Sequence, residues 1–426
     1  MQTLSWNYIV EKWKHVGFQK YFKNMSWMFL AKIGSMAVSL LATIYIARHL
    51  GPTNYGELSY AVSFVSIFSF IAVLGIDQVL YRDLIQYPEK RNLYMGSALG
   101  LRLGASILAI ILCSTFALWF SPKDVSLFLI FLLSISFIFN SFNIISNEFQ
   151  ANVQSKYPSL LSLYVTIILN ILKILVLVFG KGVIYLAFVL LLESIFYAVG
   201  LLYYRTKLYK MISEWSFSKE VAKKILHDSW PLIFSSAFAL IYSRIDQIMI
   251  KNMMDAKSVG LYDAAVRLSE VWYLVPNIIV SSMFPAIINA KKISEEIYYR
   301  RIKKLGLILL ILSIIIAIPT TLLAELIIKI IFGPAFIGAV LILQIYIWSN
   351  ISTSLNMLAN YYLVAENYKK TLFFSSFLGM SINVILNIFL IPKYGMAGAA
   401  FATFISYSIP FAFIFTTSKI KKILCY

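Results

Sequence analysis

Apolar runs of about twenty residues or longer, each closed by charge or by Gly/Pro punctuation, fill most of this chain. They fall at about 26–48, 58–80, 93–120, 125–147, 158–179, 183–204, 230–250, 259–290, 305–323, 336–363, 371–391 and 395–418. A helix of ~20 apolar residues is about as long as the hydrocarbon core of a bilayer is thick. In hydrocarbon every backbone N–H and C=O must bond within the protein, so continuous runs of this length read as transmembrane helices. Composition agrees, with 60% hydrophobic and only 13% charged residues, where soluble domains carry ~45–50% and ~25%. So little charge could not cover a water-facing surface. The expected fold is an all-α integral membrane protein with about twelve transmembrane helices.

Local punctuation adds detail. Pro276 and Pro285 each remove a backbone donor inside the run 259–290, which predicts a kinked or broken helix. Glu325, Lys329, Gly333 and Pro334 mark 324–335 as a short interfacial segment, and Gly51, Pro52 and Gly56 predict a tight turn between the first two spans.

A net charge of +18 on a soluble protein would point to nucleic acid. Here the cations sit in short tracts between apolar runs, the pattern of loops facing anionic headgroups, so membrane lipids and not nucleic acid are the expected partners. With the N-terminus assigned to the cytoplasm, 25 of the 37 Lys and Arg fall in that side's loops and tails, and 7 in the alternate loops. Both termini are therefore expected inside, which requires an even number of spans. The domain reading is a cytoplasmic N-terminal segment at 1–25, a first lobe of spans 1–6 at 26–204, a cytoplasmic linker at 205–228, a second lobe of spans 7–12 at 229–418, and a cytoplasmic tail at 419–426. The first 25 residues mix Glu11, Lys12, Trp13, Lys14 and Lys20 and lack the apolar core and cleavage site of a secretory signal. Cys113 and Cys425 support no disulfide framework, and His15, His49 and His227 have no ligand spacing, so no metal centre is expected.

The chain also repeats itself. Ser26-Trp27 opens the first span and Ser229-Trp230 the seventh; Gly56 lies 29 residues after the first tryptophan and Gly260 lies 30 after the second. Asn170 precedes Gly182 by twelve residues, as Asn383 precedes Gly395. These correspondences indicate two six-helix lobes related as parallel repeats, an arrangement typical of transporters.

A charge at bilayer depth costs at least ~2.5–3.5 kcal/mol, so intramembrane ionisable residues are functional candidates by default. They are Lys32, Arg102, Lys173, Glu193, Arg244, Asp246, Asp263, Arg267 and Glu270, with Arg48, Asp77, Arg82 and Glu148 at span ends. Helical spacing places Lys32, Ser35, Ser39 and Thr43 on one stripe, Ser162, Thr166, Asn170 and Lys173 on a second, and Asp263, Arg267, Glu270, Asn277 and Ser281 on a third. Such stripes are expected to face a hydrated interior. Asp263 and Arg267, at i,i+4, equally fit a structural pair. Arg244 and Asp246 point to different faces and need other partners. Lys32, Arg102 and Lys173 have no acid within a helical turn, which favours a substrate role, while Glu193, without a near-sequence cation, suits a protonatable coupling site. Asn140, Asn143, Asn147, Asn350, Asn356, Asn383 and Asn387 serve either helix–helix hydrogen bonding or contacts to sugar hydroxyls.

The stretches RHLGPTNYGELSYA at 48–61 and GIDQVLYRDL at 75–84 resemble the opening pattern of the polysaccharide-transporter family, which includes bacterial O-antigen flippases. In the second half, SWPLIFSSAFALIYSRIDQIMIKNMM at 229–254, VGLYDAA at 259–265 and GMAGAAFAT at 395–403 resemble that family's later helices. The resemblance implies membership of the multidrug, oligosaccharidyl-lipid and polysaccharide exporter superfamily, with two six-helix lobes around a central cavity that opens alternately to each side. It implies an undecaprenyl-diphosphate-linked oligosaccharide as substrate, flipped from the cytoplasmic to the outer leaflet of a bacterial inner membrane for O-antigen, lipopolysaccharide or capsule synthesis. No enzyme activity, catalytic residue or cofactor is implied, beyond a proton or sodium gradient; other polysaccharide assembly proteins are candidate partners.

On this reading Lys32, Arg48, Arg82, Arg102, Lys173, Arg244 and Arg267 are the substrate-binding candidates, because guanidinium and ammonium groups suit a diphosphate. Asp77, Glu193, Asp246, Asp263 and Glu270 are the candidates for coupling or gating. The rival readings are a drug or cation exporter of the same superfamily, expected to be richer in acidic and aromatic cavity residues, and a membrane-embedded polysaccharide polymerase, expected to carry catalytic groups on a large loop.

Overall fold

The computed structural model describes residues 16–209, 214–366 and 368–414. Most of the expected N-terminal segment, part of the linker and the whole 419–426 tail lie outside these residues. Among the described residues the regular structure is helical throughout. Nine helices are long and apolar enough to cross a membrane, and the bent pair Pro334–Tyr346 and Ser349–Ala365 supplies a further span.

Two of the nine are double. Val16–Val73 is broken at Gly51 (φ 67°, ψ 170°) and Lys369–Ile414 at Gly395 (φ 58°, ψ −139°), left-handed conformations that glycine adopts without a Cβ clash. As a single rod, 58 residues would extend ~87 Å, nearly three times the ~30 Å hydrocarbon core. For the second case the contacts trace a hairpin directly: Gly379 meets Pro410, Asn383 bonds Ser406, and Gly398 meets Leu390, all placed symmetrically about Tyr394-Gly395.

Twelve spans result, numbered here in chain order. Spans 1 and 2 are the limbs of Val16–Val73. Spans 3 to 9 are Arg91–Phe120, Val125–Ala151, Lys156–Val178, Val183–Leu208, Lys219–Met253, Ala256–Lys291 and Glu295–Leu322; span 10 is the bent pair, and spans 11 and 12 are the limbs of Lys369–Ile414. The turn expected at Gly51-Pro52 is present. Span 8 is interrupted at Trp272-Tyr273, one turn before Pro276, where the proline ring would meet the carbonyl four residues back. Span 10 bends by 48° with no proline involved; its ladder tightens from i−4 to i−3 at Trp348, a local 3-10 turn. Capping is local and legible: Asp255 accepts the amide of Ser258 at the start of span 8, and Ser294 that of Glu296 at the start of span 9. The short segment after span 9 is an amphipathic helix, Ala324–Ile331, with Ala324 and Ile328 buried and an exposed Glu325–Lys329 pair.

The described residues group into two compact units that do not follow the sequence halves. One draws on Met1–Ile46, Phe68–Phe116 and Phe128–Ile233, the other on Ala47–Ile67, Ala117–Leu127 and Phe234–Tyr426. The first has a core of Ile76, Leu80, Met95, Ile144, Phe149 and Leu201; the second one of Val280, Phe284, Tyr298, Leu305, Leu309 and Tyr362. Outward positions are just as apolar, as Trp119 (79% exposed) and Leu322 (77%) show. Lipid is the solvent that makes this permissible.

Within the second unit, the turn between spans 1 and 2 packs against the start of span 8. A Cβ on Gly56 would lie 1.7 Å from the Ala256 carbonyl oxygen and 2.9 Å from the Gly260 amide; one on Gly260 would lie 2.0 Å from the Pro52 carbonyl oxygen. Gly56 therefore serves a helix crossing and not, as its sequence context implied, the turn itself. The two glycines are counterparts in the repeat, 204 residues apart, and Ser59 bonds Asp263 at the same separation. Either Gly56→Ala or Gly260→Ala is expected to cost at least ~1–3 kcal/mol through overpacking and to lower the thermal midpoint of the purified protein. Gly104→Ala, with nothing within 4 Å of the new Cβ, is the control expected to melt like the parent.

Candidate functional site

In the first unit, two turn residues with positive φ, Leu74 and Gly75, end span 2 and start the helix Asp77–Gln86. Asp77 thus stands at a helix N-terminus, where its charge is favoured. It accepts from Arg102 at 2.6 Å and from Asn147 at 2.6 Å. Lys173 of span 5 bonds Glu193 of span 6 at 2.8 Å. Both pairs are oriented alike: the cations are nearly sealed (Arg102 2% exposed, Lys173 9%) and the carboxylates are open (Asp77 43%, Glu193 34%). Arg102 and Lys173, without an acid nearby in sequence, find one on another helix. Glu193 likewise has a cation that its own helix does not supply.

Arg82, midway along the same short helix, bonds Asp228 at 2.6 Å and Asp83. Lys32 is exposed and has no carboxylate within 4 Å among the described residues, and Ser35 on its stripe keeps a buried hydroxyl without a partner. A further ion cluster near the span ends joins Glu148 to two cations that the sequence reading did not single out. Fully buried Glu148 accepts from Arg205 at 3.1 Å and faces Arg91 at 3.8 Å, while Arg205 stacks over Trp215.

In the second unit Asp263 is a hub. It accepts from Arg267 at 2.6 Å, Gln247 at 2.8 Å, Ser59 at 3.1 Å and the hydroxyl of Tyr55. The i,i+4 pair with Arg267 is formed through the guanidinium Nε, and among the described residues its terminal nitrogens make no hydrogen bond. Arg244 and Glu270 face each other loosely at 3.9 Å, both part-exposed. Counted along their helices, Arg244 and Arg267 sit ~14–17 Å inside the ends at Met253 and Ala256, about half the ~30 Å thickness of a hydrocarbon core.

Asp246, two residues from Arg244, points elsewhere. It is 4% exposed, forms no ion pair among the described residues, and accepts from Asn387 at 2.6 Å, Tyr262 at 2.7 Å and Thr403. Asn387 also bonds Asn383. Lys251, which reads as a loop cation in sequence, is buried between Glu57 at 2.6 Å and Asp124 at 2.8 Å. Burial alone would raise the Asp124 carboxyl; Lys251 and the Ser126 hydroxyl and amide outweigh it and hold that carboxyl below its ordinary range. Arg48 donates to the carbonyl of Ile330, at the end of the short amphipathic helix, and so serves as its C-terminal cap.

Of the sequence-selected residues, the structure therefore brings together Asp77 with Arg102, Lys173 with Glu193, Arg244 with Glu270, and Asp263 with Arg267. Asp246, Arg48 and Arg82 have other partners. Sequence reading missed Glu57, Lys251 and Asp124, and the neutral ring around Asp246; their sequence separations carry no signal of contact. Among the described residues no cluster of His, Cys, Asp or Glu could hold a metal.

Among the described residues the chain is an all-helical membrane protein whose intramembrane charges are mostly paired between helices. The solved structure of the lipid II flippase MurJ in an inward closed conformation superposes with a TM-score of 0.75 at 19% identity, covering 93% of this chain and 89% of that one. An inward-facing multidrug resistance MATE family transporter of the MOP superfamily gives 0.68 at 14%, covering 92% and 96%. The family model described as polysaccharide biosynthesis protein matches residues 21–291, and the chain belongs to that family. Similar curated proteins include the capsular polysaccharide biosynthesis protein CapF of Staphylococcus aureus, 24% identical over 90% of this chain and 96% of that protein. A second, named as a probable low-salt glycan biosynthesis flippase of Haloferax volcanii, is 23% identical over 90% of this chain and 80% of its own length.

The Arg102–Asp77 pair yields a direct test of structural pairing. Removing one member of a buried pair costs ~3–5 kcal/mol, here less because Asp77 is open to solvent. Arg102→Met is expected to destabilise the protein, and Arg102→Met with Asp77→Asn to recover part of the loss in a double-mutant cycle of thermal unfolding. Additive single effects would mean that the pair is not a structural unit.

Proposed function

We propose that this chain, a multi-pass membrane protein of a polysaccharide biosynthesis family, flips undecaprenyl-diphosphate-linked oligosaccharide repeat units from the cytoplasmic to the outer leaflet of a bacterial inner membrane, by alternating access, for O-antigen or capsule assembly. Both termini are placed in the cytoplasm, as the Lys and Arg distribution favours. A diphosphate and a sugar chain cannot cross hydrocarbon unaided, and the protein must supply their hydrogen bonds. The observation that carries the reading is a pair of guanidinium groups well inside their helices: Arg267, whose terminal nitrogens bond none of the described residues, and Arg244, which faces Glu270 only loosely at 3.9 Å. Open guanidinium donors of this kind suit phosphate oxygens. Lys32 offers a further unspent cation, whereas Arg102 and Lys173 act through the carboxylates they hold.

Asp246 is assigned to coupling. A buried carboxylate ringed by the neutral donors of Asn387, Tyr262 and Thr403 has no counter-charge of its own, so a proton or a sodium ion is the natural complement. A drug exporter of the same fold has no such need for open guanidiniums.

The test is surface polysaccharide in a flippase-deficient strain at matched protein level. Arg244→Gln is expected to reduce polymer at least about tenfold, the size of a lost charge-assisted hydrogen bond of ~1.5–3 kcal/mol, with Arg244→Lys intermediate. Undiminished polymer would remove Arg244 from the substrate path. Asp246→Asn is expected to leave the protein folded but to abolish the dependence of vesicle translocation on an imposed proton or sodium gradient; an unchanged gradient dependence would sink the coupling role.

A further inference from the structure

A cavity of about 360 Å³ opens within the first unit among spans 4, 5 and 6. Its polar lining is Asn140 from span 4, Ser162 and Thr166 from span 5, and Glu193, Ser194 and Tyr197 from span 6. Asn140 lies immediately before a 3-10 stretch, Ser141–Asn143, in the middle of span 4. Such an interruption in a transmembrane helix often marks a functional position.

Several hydroxyls elsewhere in the spans return to the carbonyl four residues back, as those of Ser66, Thr115, Thr320 and Ser408 do, and those left without a partner, such as Ser35 and Thr321, are scattered. The hydroxyls of Ser162, Thr166 and Ser194 and the amide of Asn140 make no hydrogen bond to the described residues, and all four line the same space. Lys173 occupies one Glu193 oxygen, and the Tyr197 hydroxyl meets Ser146 at 3.3 Å. Polar groups that converge on a cavity of this size hold water, which a ligand displaces only if it reproduces the same bonds.

The inventory defines that ligand. Three hydroxyls and one amide each donate and accept, the second Glu193 oxygen accepts, and the nearby cation, Lys173, is buried and already committed. An anion gains nothing here; a neutral polyhydroxylated group matches every partner, with the Tyr197 ring as an apolar wall. The volume sits at the low end of the ~300–1,000 Å³ of ordinary ligand sites, enough for a short piece of glycan. We infer that this cavity is a sugar subsite that receives a neutral sugar of the transported glycan, the chemistry that selects among repeat units. The inference rests on the flippase reading for its biological ligand but not for its binding chemistry.

The experiment uses the full chain in lipid nanodiscs and saturation-transfer NMR with maltose and N,N′-diacetylchitobiose as neutral probes. Transfer to the ring protons of at least one is expected, reduced about fivefold or more by Asn140→Leu and by Ser194→Val, the loss of one neutral hydrogen bond, and kept by Ser162→Thr. Thermal midpoints of the variants, expected to match the parent, exclude misfolding as the cause. No transfer to either disaccharide, or transfer that survives both Asn140→Leu and Ser194→Val, overturns the subsite. Translocation of lipid-linked oligosaccharide, measured on the same variants, separates the two readings. Sugar binding that depends on Asn140 in a protein that translocates nothing overturns the flippase and leaves the subsite standing. Translocation unaffected by Asn140→Leu overturns the subsite alone.

Discussion

A charge at hydrocarbon depth has to be answered inside the protein, and the way this chain answers its intramembrane charges organises both of its compact units. Lipid tails are as apolar as leucine, so no hydrophobic force drives one span against another; close packing, hydrogen bonds and ion pairs must do it. Arg102 with Asp77, Lys173 with Glu193, Arg205 with Glu148 and Lys251 with Glu57 each join different helices. Desolvation offsets much of the energy of each pair. What the pairs add is register, because a span rotated or shifted by one residue would leave a bare charge in hydrocarbon.

Asp263 and the two contacting glycines give the same logic a geometric form. Gly56 and Gly260 remove the side chains that would hold spans 2 and 8 apart, and the close approach lets Tyr55 and Ser59 reach Asp263. Asp263 is then so fully satisfied that it neutralises only part of Arg267 and leaves guanidinium donors to spare. The structural role of the acid and the openness of the base are two aspects of one arrangement.

Charge and neutral polarity have separate uses. The open guanidiniums of Arg244 and Arg267 suit an anion, the neutral ring around Asp246 a small cation or a proton, and the Asn140–Ser162–Ser194 cavity an uncharged ligand. A carrier of a lipid diphosphate bearing sugars needs the first and third chemistries together, and an energy source for the second.

Span number, the turn at Gly51, the interruption before Pro276 and the Asp263–Arg267 pair were legible in the sequence, because each follows from hydropathy, backbone torsion or i,i+4 spacing. The repeat was legible too, through Gly56 and Gly260, although their mutual contact was not. Which cations stay open could not be read. Arg102 and Lys173 look unpaired along the chain and are paired in space, Lys251 looks like a loop residue and is buried, and Asp246 gathers Asn387 and Thr403 from more than a hundred residues away. Hydrocarbon imposes its demands residue by residue and so writes them into the local sequence. Pairing between spans depends on which helix faces meet, and that was decided only by the tertiary packing.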